Sequence, residues 1–159
     1  MLNEYQKNER KWRNSSYQTN LAKEQKITEI FIKWCKNNHY RYRINPTDSS
    51  PNLLGSDVTI SKSGNHYEID IKGFKSSYDT VALSYERSLD GVHWSKLFNS
   101  NKITTHYVFI DPETEEIYCI SYENVKFIFD DCEKVEVSAQ TAGHYQKIIK
   151  IPIEYLSFL

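Results

Sequence analysis

The clearest periodicity in the chain lies within residues 55–74. Residues 57–61 (Asp-Val-Thr-Ile-Ser) and 66–72 (His-Tyr-Glu-Ile-Asp-Ile-Lys) both alternate polar with apolar side chains, the period of a strand with one buried face. Lys62-Ser63-Gly64-Asn65 between them is turn chemistry. A hairpin closed at Ser63-Gly64 sets Val58 opposite Ile69, Ile60 opposite Tyr67, and Asp57 opposite Asp70. Lys72 follows two residues on, on the same face as Asp70.

Elements on either side are predicted from the same kind of pattern. Ile27, Ile30, Phe31, Trp34 and Cys35 form a helical stripe over 21–36, with Asn20 as N-cap. Residues 40–44 alternate as a first strand, and 45–55, with its two prolines, is a loop. Residues 80–87 read as the next strand after the hairpin. Residues 88–102 read as a turn at Asp90-Gly91 followed by a short helix carrying Trp94, Leu97 and Phe98. Residues 106–110 and 117–121 form a strand pair around an Asp-Pro-Glu-Thr turn. A short helix is expected over 122–129, and extended segments over 134–138 and 147–151. Pro152 confines the last of these to an edge or a strand end. The order is that of an α/β fold, a mixed central β-sheet flanked by helices.

The chain has 159 residues, 26% of them charged, 39% hydrophobic, with 12 Tyr. That suits one globular domain at 20–159, preceded by a basic and aromatic segment at 1–19 that reads as a helix or a flexible arm. No apolar run approaches a membrane span and no signal-peptide pattern opens the chain. Cys35, Cys119 and Cys132 are isolated, which argues against a disulfide framework or a zinc site. A cytoplasmic protein with no membrane partner is expected. Net charge is −1 but unevenly placed: residues 1–43 hold ten Lys and Arg against four Asp and Glu, while 111–136 hold nine acids against two lysines. A basic N-terminal part beside an acidic flank fits a protein that lays one face on a phosphate backbone. Lys7, Arg10, Lys11 and Arg13, interleaved with Tyr5, Trp12 and Tyr17, are the candidate nucleic-acid contacts.

The polar face of the hairpin is where structure alone is a poor account. Facing side chains start with Cβ atoms about 5 Å apart, and two carboxylates at that range repel by roughly 3 kcal/mol at an effective dielectric near 20. Glu68 adds a third acid to that face. Such a cluster asks for a cation, a shared proton or open solvent, and a hard divalent ion with oxygen ligands answers it.

Asp57 followed by Asp70-Ile71-Lys72 on the next strand resembles the PD-(D/E)XK nuclease superfamily, over about residues 20–125. The proline of that family's first motif is replaced here by Ser56. The resemblance implies a restriction-endonuclease-like fold of a phage or mobile-element type. It implies Asp57, Asp70 and the backbone carbonyl of Ile71 as metal ligands, with Lys72 as the catalytic lysine. It further implies an acidic residue from the preceding helix, for which Glu24 is the match, and one from the strand after the motif, for which Glu86 is a candidate. The cofactor implied is Mg²⁺, with Mn²⁺ able to substitute. The substrate is DNA, cut by an endonuclease in preference to an exonuclease, and the enzyme is a monomer or a homodimer. Two alternatives stay open: a binding module of the same fold without catalysis, and an acidic interaction protein or DNA mimic using the 111–136 flank. His93 with Asn99 and Asn101 is a weaker metal-nuclease pattern, and His93 reads as a loop or packing residue. Nothing resembles a serine-nucleophile elbow or a cysteine triad.

Overall fold

The computed structural model of the chain describes residues 1–15, 21–138 and 143–159; the expected N-cap Asn20 lies outside them. Helices α1 (Glu4–Ser15) and α2 (Leu21–Asn37) come first. Strand β1 (Arg41–Ile44), the one-turn helix α3 (Ser50–Leu53), β2 (Val58–Lys62) and β3 (Asn65–Gly73) follow. Then come β4 (Thr80–Leu89), β5 (Val92–Ser95), β6 (His106–Ile110), β7 (Ile117–Ser121) and α4 (Tyr122–Ile128). The chain closes with β8 (Glu133–Ser138), β9 (His144–Pro152) and β10 (Ser157–Phe158).

The hairpin β2–β3 has the register set by its pattern, Val58 opposite Ile69 and Ile60 opposite Tyr67. Ser63 and Gly64 at its tip both take positive φ, 52° and 80°, the two-residue turn whose twist matches that of the flanking strands. This hairpin sits in a six-stranded sheet of order β1-β2-β3-β6-β7-β10. The pairing of β3 with β6 is parallel and the others are antiparallel, so the sheet is mixed. On one face α2 lays Ile27, Ile30, Phe31 and Cys35 against Val58, Ile60, Ile69, Ile71, Val108 and Ile110. Each such aliphatic side chain, removed from water, contributes about 1.5–3 kcal/mol.

Two expectations need correction. The strand after the hairpin does not join this sheet: β4 belongs to a second, four-stranded antiparallel sheet of order β5-β4-β9-β8. Its Val81 and Leu83, with Ile149 and Ile151 of β9, pack on Tyr107, Phe109 and Ile120 of the first sheet. The central strands β3 and β6 are thus buried on both faces: Ile69, Asp70 and Ile71 are all buried, as are Tyr107, Val108 and Phe109. The expected short helix within 88–102 is instead β5, the hairpin partner of β4. Asp90 and Gly91 take positive φ, and an Asp-Gly pair between alternating strands is itself a hairpin signal.

The basic segment at the start of the chain is helical. Asn3 Oδ1 accepts from the Gln6 N–H and Gln6 Oε1 from the Asn3 N–H, both at 2.8 Å, a reciprocal cap that satisfies two orphan donors. Tyr5 and Trp12 bury against Leu89 and Trp94 at the end of the second sheet, and Gln6 Nε2 bonds Ser50 Oγ at 2.6 Å. Helix α1 therefore bridges α3 and the β4–β5 hairpin. Among the described residues no helix is long and apolar enough to cross a membrane.

Candidate active site

Asp57 stands one residue before β2. Its N–H bonds the carbonyl of Ile69 at 2.8 Å, the residue that Val58 also faces. Two residues of one strand thus oppose one of the other, and the irregularity turns the Asp57 carboxylate onto the backbone of β3. There Oδ2 accepts the Ile71 N–H at 2.8 Å. Since the N–H and C=O of one strand residue lie on the same edge, the Ile71 carbonyl faces the Asp57 side as well. Asp57 Oδ1 accepts from Asn52 Nδ2 at 3.0 Å. Asn52 in turn accepts from Arg13 and, at 3.1 Å, from the Asp48 N–H. A chain of bonds from α1 through α3 thereby fixes the first carboxylate.

Asp70 lies on β3 with Lys72 Nζ 3.2 Å from its Oδ1. The two carboxylates feel each other. Burial and the Asp70 charge push the Asp57 carboxyl up to about 6, against the opposing pull of Lys72. Burial acts on Asp70 in the same sense, but the charges of Lys72, Lys102 and Lys96 outweigh it and hold the Asp70 carboxyl down. One member of the pair resists ionisation while the other is held ionised, the pattern of a site rather than of a surface ion pair.

Two further cations that act on Asp70, Lys102 and Lys96, were not legible as site residues. Lys102 Nζ lies 5.5 Å from the ring centroid of Tyr107, the register partner of Asp70 on β6. Burial draws Lys102 down to about 8. Its approach depends on Gly55 at φ +95°: a Cβ there would strike Thr104 Oγ1 and stand 3.0 Å from Lys102 Nζ. Lys96 and Arg87 are gathered by Glu9, wholly buried on α1. Glu9 accepts from Lys96 Nζ at 2.6 Å, Arg87 at 2.9 Å and Trp94 Nε1 at 2.8 Å. Burial alone would raise the Glu9 carboxyl, but the charges of Lys96 and Arg87 hold it well below the usual range. The sequence did carry a signal, since Glu9 falls on the buried Tyr5–Trp12 stripe at helical spacing. Among the described residues the buried Tyr5 hydroxyl has no hydrogen-bond partner.

Glu24, exposed on the first turn of α2, is raised by partial burial against the pull of Lys72 and Arg13, so it stands within electrostatic reach of the lysine. A cleft of about 920 Å³, lined by Glu24, Ile27, Gly73, Phe74 and Val81 among others, opens beside it. Glu86 is not brought to the pair. It sits on β4 in the second sheet, with Lys147 and His93 each at 3.7 Å, because β4 leaves the central sheet. Glu68 is tied off by Ser56 Oγ at 2.5 Å, Thr59 Oγ1 at 2.7 Å and His66 at 2.9 Å, which relieves the third carboxylate locally. Lys7, Arg10 and Lys11 are exposed on α1. Arg13 differs from them, half-buried on Asn52 and 3.4 Å from Asp48.

The donor set suits a hard ion. Among the described residues no group of three or more His, Cys, Asp or Glu side chains gathers, so a zinc-type cage is not formed. The oxygen donors on this side are the two carboxylates and the Ile71 carbonyl, which are ligand types of a hard divalent ion.

No family model matches the sequence, and no curated protein matches it. Among solved structures, the chain is similar to that of a bacterial homing endonuclease, I-Ssp6803I, at TM-score 0.52 and 13% identity. The match covers 67% of this chain and 72% of that one. At this identity the likeness is one of fold, an α/β fold with a multi-stranded central sheet flanked by helices, which this chain shares with a nuclease.

Proposed function

We propose that the chain is a Mg²⁺-dependent nuclease of the PD-(D/E)XK kind that hydrolyses phosphodiester bonds in DNA. The observation that carries this reading is the convergence of Asp57 and Asp70 beside Lys72, with the Asp57 carboxyl pushed up to about 6 by burial and by its neighbour. Holding two acids together costs stability and has no packing purpose, whereas a divalent ion turns the same repulsion into affinity. The nuclease of similar fold is a homing endonuclease, which supports internal cutting in preference to exonuclease action.

Asp57, Asp70 and the Ile71 carbonyl are the residues that would hold Mg²⁺. A bound ion there supplies charge neutralisation at the scissile phosphate and a water of lowered pKa. The chain does the rest. Asn52 and the Ile71 N–H fix the orientation of Asp57. Asp70 holds the Lys72 ammonium at 3.2 Å, pre-oriented to stabilise the attacking oxygen and the charge that develops on the phosphate. The buried cations Lys96 and Lys102 favour the ionised state of Asp70.

The test is incubation of the purified protein with plasmid, single-stranded and branched DNA, in Mg²⁺ and in EDTA. Cleavage in Mg²⁺ that is lost in EDTA and in Asp70→Asn is expected. Binding without cleavage under any divalent ion would assign a binding module instead, and no binding at all would remove the nuclease reading.

A further inference from the structure

The strand register carries the face of Asp70 outward to the edge of the sheet. Arg43 is opposite Thr59 and Arg41 opposite Ser61, while Thr59 and Ser61 are opposite Glu68 and His66. Arg41 and Arg43 therefore stand on the face that bears Asp70 and Lys72. Tyr42 and Ile44 point to the α2 side, with Ile60 and Val58.

This face is divided. Over β6 and β7 it is covered by the second sheet, which packs on Tyr107, Phe109 and Ile120. Over β1 it is open, and all four residues of β1 are exposed. Among the described residues Arg43 makes one bond, at 3.4 Å to Thr59 Oγ1. Among the described residues neither guanidinium has an acidic partner: the acid nearest in register, Glu68, is satisfied by Ser56, Thr59 and His66. Two strand spacings separate β1 from β3, about 10 Å, equal to the axial rise of roughly three base pairs of a B-form duplex.

We propose that Arg41 and Arg43 form the outer part of the nucleic-acid track, binding backbone phosphates of the segment that flanks the bond presented to Asp57 and Asp70. The proposal rests on the nuclease reading and adds a surface to it. Charge complementarity selects the occupant: two exposed guanidiniums beside an acidic pair match a phosphate chain that enters the site from the sheet edge. The competing account is that charges on an edge strand only keep it from pairing with another sheet.

Fluorescence anisotropy of a labelled duplex in EDTA, over a salt series, separates these accounts. Arg41→Gln/Arg43→Gln should bind roughly ten- to thirtyfold more weakly near 0.15 M salt and lose about 1.8 from the slope of log K against log salt. Arg41→Lys/Arg43→Lys should keep most of both, since phosphate contacts need charge more than fork geometry. Melting curves check that each variant is folded. A folded Gln variant with wild-type affinity and slope would overturn the proposal, and if wild type still cuts in Mg²⁺ the active-site reading survives it. Wild-type protein with no affinity for any duplex would overturn both.

Discussion

Replacing Asp57 with Asn in metal-free protein should raise its melting temperature near neutral pH. Folding moves the Asp57 carboxyl from an unfolded value of about 3.9 to about 6. An acid whose folded value lies above its unfolded one binds more protons when folded, so the Asp57 contribution to stability is greatest below about pH 4. It then falls as pH rises through 6, by about 3 kcal/mol in all. Asn escapes that loss. Its carbonyl can still accept the Ile71 N–H, but its NH₂ then meets the NH₂ of Asn52, whose oxygen is held by Arg13 and the Asp48 N–H. The donor clash costs about 1 kcal/mol. The net gain at pH 7 is about 2 kcal/mol, or about 4–8 °C for a chain of this size. Calorimetry in EDTA at pH 4, 5.5 and 7 reads it. The advantage of the variant should be absent or reversed at pH 4 and grow with pH. Saturating Mg²⁺ should invert the order at pH 7, because only wild type gains ligand stabilisation, about 2.7 kcal/mol at a hundredfold excess over Kd. A variant that melts below wild type at pH 7 in EDTA, or a difference that ignores pH, would refute the reasoning.

Lys72→Ala should lower single-turnover cleavage by about 10²–10³ while duplex binding and fold persist; near-wild-type cutting by a folded variant would reduce Lys72 to a counter-charge for Asp70. Changing Lys7, Arg10 and Lys11 to Gln should flatten the salt dependence of DNA binding with little effect on melting, whereas Arg13→Gln should cost stability because its guanidinium is held by Asn52 and Asp48. Glu9→Gln should destabilise the fold by about 3–5 kcal/mol, since buried Arg87 and Lys96 would lose the acid that offsets their burial, and burial already draws the Lys96 ammonium down; a shift under 1 kcal/mol in denaturant titration would show that the network relaxes.

The hairpin was legible because its information is local. Alternation puts Asp70 and Lys72 on one face and a two-residue turn fixes Val58 opposite Ile69, but Asp57, expected opposite Asp70, shares Ile69 with Val58 instead, an irregularity that alternation does not foresee. Helix α2 was legible for the same reason, its stripe being a property of neighbouring turns. What escaped was long-range. The pattern of β4 is that of any half-buried strand, and nothing in it says which sheet it joins, so Glu86 was drawn toward a site it never reaches. Glu9, Lys96 and Arg87 are ordinary surface residue types until α1 docks on β4 and β5. Lys102 becomes part of the Asp70 environment through Gly55, which lies 49 residues from the Thr104 hydroxyl bonded to its carbonyl. The charge asymmetry of residues 1–43 was visible, but not that Arg41 and Arg43 would lie open on the Asp70 face, which needs the pairing of three strands.

The Glu9 anchor also orders assembly in time. Its partners Arg87 and Lys96 lie 78 and 87 residues downstream, so α1 has no Glu9 anchor until β4 and β5 have been synthesised. With 12 residues, α1 is too short to persist as a helix in water on its own. Until it docks, Arg13 is absent from Asn52 and the orientation of Asp57 is incomplete. A ribosome-bound fragment ending before residue 96 therefore presents the two acids without their finished frame.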